Sequence, residues 1–164
     1  MPEVSAIATL NTARLTLTQV CRLLERLEAG PFSRSLINYY GTRIAGFEPL
    51  VTASRKGGGR GSGRNTRLYS VADVVLLRWL LQLARQGLAV RKFYRAVEWL
   101  RKNMPEAIMD PEAVFFLTDN EEIGICCRKG APIQLTGAPG QILLSLSVSS
   151  VNEVLEEAPK VLSA

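Results

Sequence analysis

Residues 16–41 read TLTQVCRLLERLEAGPFSRSLINYYG, and this stretch decides the fold of the first half of the chain. Thr16 and Gln19 stand at the spacing of a capping box, in which hydroxyl and amide side chains satisfy each other's backbone N–H groups at a helix start. The helix that follows carries Val20, Leu23, Leu24 and Leu27 on one face and stops at Gly30-Pro31. Cys21 lies inside that pattern and is expected in the core. Ser33 can cap a second helix to about Tyr40, with Leu36, Ile37 and Tyr40 available to the core and Gly41 ending it. Two short helices joined by a turn containing glycine make a helix-turn-helix pattern.

Working outward, residues 52–67 combine glycines with Arg55, Lys56, Arg60, Arg64 and Arg67. Glycine raises chain entropy and like charges repel, so no core is expected here. The sequence predicts a cationic loop flanked by a short strand pair. Ser70 then caps a long helix, with Asp73 in its first turn, where a carboxylate favours the positive helix end. Val74, Leu77, Leu80, Leu81 and Ala84 give its period, and Gly87 follows as a C′ residue. A further helix is expected from about Val90 to Asn103, with Phe93, Val97 and Leu100 inward and Met104-Pro105 closing it.

Beyond residue 105 the pattern changes. Val114–Thr118, Ile123–Cys127, Pro132–Leu135 and Ile142–Val148 are short β-rich runs separated by turn residues, and a short amphipathic helix, Val151–Leu155, is expected after them. The fold class is therefore read as α+β: a flexible leader 1–14, a mainly helical N-terminal unit 15–105, and a small antiparallel β-rich module with a terminal helix, 106–164.

Charge follows the same division. The 164 residues carry a net charge of +5, but residues 1–105 hold 17 Lys/Arg against 6 Asp/Glu, whereas residues 106–164 hold 3 against 9. A basic half joined to an acidic half suggests a polyanion-binding unit and a second unit with another task. A hydrophobic content of 47% permits a real core. No histidine is present, so no Cys/His zinc site can form. The adjacent Cys126 and Cys127 would point to opposite faces of a strand. Neither a catalytic set nor a phosphate-loop pattern is found, so we expect no enzyme, no cofactor and no metal. Free thiols, the absence of a signal-peptide layout and the lack of a long apolar span lead us to expect a cytoplasmic, nucleoid-associated protein.

The chain resembles the MerR family of transcription regulators over about residues 15–103. The matching segments are Thr16-Leu17-Thr18-Gln19-Val20-Cys21, Leu36-Ile37-Asn38-Tyr39-Tyr40, Gly46-Phe47 with Pro49, Arg67-Leu68-Tyr69-Ser70 with Asp73, and Leu83 with Gly87-Leu88. The resemblance implies an N-terminal winged helix-turn-helix that binds duplex DNA. The chain departs from the family in placing Asn38 where an arginine often precedes the Tyr-Tyr pair. It also lengthens the first turn through Leu27–Phe32, and has no long heptad helix after residue 103.

A recognition helix needs polar side chains aimed at base edges. Ser33, Arg34, Ser35 and Asn38 occupy one flank of such a helix. Arg34 suits a guanine edge or a phosphate, Asn38 an adenine edge, and Tyr39 either a phosphate or partial core burial. Arg55, Lys56, Arg60, Arg64 and Arg67 form either a wing that tracks phosphate or a solvated linker. Thr16, Thr18, Arg43 and Tyr69 complete the candidate DNA-contact set.

One recognition helix covers few base pairs, so a homodimer on a palindromic site is expected. The C-terminal run Val114-Phe115-Phe116-Leu117-Thr118-Asp119, with Pro139-Gly140-Gln141, resembles a subset of bacterial MerR-like regulators predicted to be antitoxins. That resemblance implies a toxin partner and repression of the protein's own promoter. The competing expectation is a protein-binding adaptor whose acidic module holds a partner and whose basic half binds nucleic acid without sequence preference.

Overall fold

The computed structural model describes residues 14–28, 32–41, 54–55, 67–85, 90–110, 114–118, 123–126, 133–134, 143–144 and 151–163. In chain order, these give β1 (Leu15–Thr16), α1 (Leu17–Glu28), α2 (Arg34–Gly41), β2 (Ser54–Arg55), β3 (Arg67–Tyr69), α3 (Val71–Arg85) and α4 (Val90–Asn103). A 3₁₀ turn, Pro105–Met109, leads to β4 (Val114–Thr118), β5 (Ile123–Cys126), β6 (Ile133–Gln134), β7 (Leu143–Leu144) and α5 (Val151–Leu162). The class is α+β, as expected. The leader 1–13 and the loop 56–66 lie outside the described residues.

Of the three helix starts predicted from capping residues, those at Thr16 and Ser70 form as reciprocal boxes, whereas the Ser33 hydroxyl bonds that of Ser35. The Thr16 N–H donates to Gln19 Oε1 at 2.9 Å, and the Gln19 N–H donates to the Thr16 hydroxyl at 3.4 Å. The Ser70 N–H donates to Asp73 Oδ2 at 2.8 Å, and the Asp73 N–H donates to Ser70 Oγ at 3.1 Å. Asp73 can therefore sit at 3% exposure: its carboxylate closes a cap as well as facing the helix dipole.

The long helix differs from the one-sided pattern expected of it. Val71, Val74, Val75, Leu76, Leu77, Trp79, Leu80, Leu81 and Leu83 are all buried, so α3 is enclosed nearly all round. The reason is that α1, α4, the 3₁₀ turn and α5 all pack against it. The terminal helix is longer than expected, running through Pro159 to Leu162. A proline inside a helix removes one backbone donor. Here Ala158 and Val161, on either side of it, are buried, and the helix and its apolar face continue through the proline.

That face decides the arrangement of the chain. Val151, Val154, Leu155, Ala158 and Val161 join Leu15, Val20, Leu23, Leu24, Phe93 and Leu100 in one core cluster, and α5 packs chiefly on α1. In sequence α5 belongs to the acidic segment; in space it completes the core of the basic half.

Two antiparallel sheets form. β1 and β2 flank β3, with Leu15 opposite Tyr69, Thr16 opposite Leu68, Ser54 opposite Leu68 and Arg55 opposite Arg67. β1 is an addition to the expected strand pair. The second sheet has the order β6-β5-β4-β7; Val114 pairs with Cys126, Leu117 with Ile123, and Thr118 with Leu143. Ile142 and residues 145–148, expected in the last strand, lie outside the described residues.

Candidate nucleic-acid interface

The starts of α1 and α2 meet at the surface. Arg34 Nη2 donates to Thr18 Oγ1 at 3.3 Å, and both side chains are exposed. Along α2, Ser35 and Asn38 are exposed, and Tyr39 is 60% exposed, while Ile37 on the opposite flank is buried. Ser33, at the start of α2, accepts from the Leu36 and Ile37 N–H groups through its backbone carbonyl, and its hydroxyl is hydrogen-bonded to that of Ser35. Polar groups therefore fill the outer flank of α2 from its first turn onward. Tyr39 is exposed and not partly buried in the core.

The remaining candidates divide. Thr16 is half-buried, and its hydroxyl is committed to Gln19 at the helix cap. Arg67 is exposed on β3 and hydrogen-bonds the phenol of Tyr69. Tyr69 itself is 1% exposed, so it stands in the core, apart from the exposed set. Burial raises its phenol pKa, with Arg67 pulling it back, and it stays neutral across the physiological range. Arg55 lies on β2, directly opposite Arg67 in the ladder. Arg43, Lys56, Arg60 and Arg64 lie outside the described residues.

A buried charge network ties the end of α1 to α3 and α5. Glu28 ends α1, the wrong end for a carboxylate in the helix dipole. Its side chain is only 7% exposed, yet it accepts from Arg78 Nε at 2.7 Å, Gln82 Nε2 at 2.8 Å and Arg85 Nη1 at 2.7 Å. Arg78, 3% exposed, also reaches Glu153 of α5 through Nη2. Arg85 further stacks over the Phe32 ring at 5.7 Å, and the Phe32 N–H donates to Glu25 Oε1 at 3.4 Å. The segment entering α2 is thus pinned to both α1 and α3. The signal was present in the sequence: Arg78 interrupts a run that is otherwise apolar, and a charge in such a place needs a buried partner.

Cys21 is buried beneath this surface; desolvation raises its thiol pKa, so it stays protonated and unreactive. Among the described residues no group of three or more Cys, Asp or Glu side chains is placed to hold a metal ion. No helix among them is long and apolar enough to cross a membrane. No protein-family model matches the chain, and no curated protein matches it.

Proposed function

We propose that this protein is a sequence-specific duplex DNA-binding transcription regulator built on a MerR-like winged helix-turn-helix. The observation that carries the reading is the outer flank of α2. Arg34, Ser35, Asn38 and Tyr39 are exposed there, at the end of a helix pair whose starts are joined by the Arg34–Thr18 hydrogen bond. Arg34 gives Thr18 one N–H of an exposed guanidinium, and the fork has further donors for a base edge or a phosphate. In this reading α2 enters the major groove and α1 crosses the phosphate backbone.

The β2–β3 ladder supports the assignment of a wing. It joins the two ends of the segment carrying Lys56, Arg60 and Arg64, and it sets Arg55 opposite Arg67. The duplex site is read by a homodimer on a palindrome. Repression of its own promoter beside a toxin partner follows from the sequence resemblance alone.

The test compares variants on a preferred and a scrambled duplex by fluorescence anisotropy. Arg34→Ala is expected to cost about 1–3 kcal/mol on the preferred duplex and little on the scramble. Arg60→Ala with Arg64→Ala is expected to weaken both duplexes alike and to flatten the log–log salt dependence, roughly −5 for the native protein, by about two. Loss of affinity without loss of preference in Arg34→Ala would assign that residue to phosphate. No effect from either change would remove the interface.

A further inference from the structure

Beyond Thr18, α1 carries Arg22 and Arg26 at successive turns, about 6 Å apart along the axis at the helical rise. Arg22 is exposed and, among the described residues, has no carboxylate partner. Arg26 is held by Glu157 of α5 at 3.6 Å. The two arginines, with Glu25, line a shallow groove between α1 and α5 whose floor is Val161. Glu25 is already engaged, accepting from the Phe32 N–H. On its other side Glu157 accepts from Lys160. The groove residues proper, two arginines and Glu25, carry a net positive charge, and Glu157 cancels it.

We propose that α1 continues the duplex face past Thr18, with Arg22 as a phosphate contact, and that Glu157 of the terminal helix competes with phosphate for Arg26. The inference rests on the DNA-binding reading and extends it to a surface not assigned from the sequence. The first helix of a helix-turn-helix crosses the sugar-phosphate backbone, and the exposed stripe Thr18–Arg22 is the one continuous with Arg34. The Glu157 carboxylate holds the next cation in that direction. Its pKa is lowered, first by the hydrogen bond from Lys160 and then by the nearby positive charges, so it is ionised at neutral pH. A phosphate bound to Arg26 gives up one internal ion pair for one phosphate contact. The acidic segment thereby sets how much of the basic half is available to a polyanion.

The test uses full-length variants on a scrambled duplex at two salt concentrations. Glu157→Gln is expected to tighten binding a few-fold and to steepen the salt slope by up to about one, while Arg22→Ala weakens every duplex alike and flattens the slope by about one. Glu156→Gln, an exposed neighbour, changes net charge by the same amount and should give a smaller gain. Arg91→Ala, exposed on α4, is the matching control for Arg22→Ala. Combining Arg26→Ala with Glu157→Gln should abolish the gain. Equal effects of Glu156→Gln and Glu157→Gln, or a gain that survives loss of Arg26, would overturn the competition. Equal effects of Arg22→Ala and Arg91→Ala would overturn the phosphate contact. Failure of the native protein to bind any duplex would instead overturn the DNA-binding reading itself.

Discussion

Arg78→Ala is expected to cost about 3–5 kcal/mol, because removing one partner of a buried ion pair strands the other. The stranded group is Glu28, whose side chain is 7% exposed and sits at the negative end of α1. Gln82 and Arg85 remain as donors at 2.8 and 2.7 Å, but the buried cation is gone. For a chain of this size the change corresponds to a fall in melting temperature of roughly 10 °C. Glu153 loses the same partner at little cost, since it is 51% exposed. Pairing Arg78→Met with Glu28→Gln should recover most of the loss. It removes both charges, and it also removes Arg78 Nη1, a buried donor with no hydrogen-bond partner among the described residues. A loss below about 1 kcal/mol for Arg78→Ala would show that this network does not hold α1 to α3.

Val154→Asp is expected to be at least as damaging, about 4 kcal/mol or more, the range reached when an unpaired charge enters a core. Val154 is 1% exposed in the helix that packs on α1 and α3. Losing the buried valine alone removes about 1.5 kcal/mol or more of apolar burial. The informative readout is where the damage appears. Because α5 completes the core of the basic half, amide-exchange protection should fall in α1, at Val20–Leu24, as well as in α5. Glu156→Ala, on the exposed side of the same helix, should change stability by less than about 0.5 kcal/mol. Loss of protection confined to α5 would mean that the acidic segment packs on its own.

These two cases mark what local reading of the chain reaches. Capping boxes at Thr16–Gln19 and Ser70–Asp73 are local in sequence, so both helix starts were readable to the residue. So were the inward faces of α1 and α4, since period and burial coincide there. The all-round burial of α3 was not, because the element that covers it, α5, lies some 70 residues further along the chain. The Glu28–Arg78–Glu153 network spans the same separations and is invisible to any window of a few turns. Within the candidate interface, the exposure of Arg34, Ser35 and Asn38 followed from helical geometry. Tyr69 did not follow, because alternation along a three-residue strand does not say which face of the sheet is covered. Arg22 carries no such local signal, because an exposed arginine on an amphipathic helix looks solvated until Thr18, one turn before it, is known to bond Arg34.

Sequence-specific recognition of duplex DNA is checked by a single titration. Purified native protein is titrated, by fluorescence anisotropy at physiological salt, against fragments of the DNA upstream of its own gene and against a scrambled duplex. One fragment is expected to bind at least ~1,000-fold more tightly than the scramble, the margin that separates specific regulators from general polyanion binders. Equal, weak and salt-sensitive binding to every duplex would contradict it, leaving the helix pair as a scaffold.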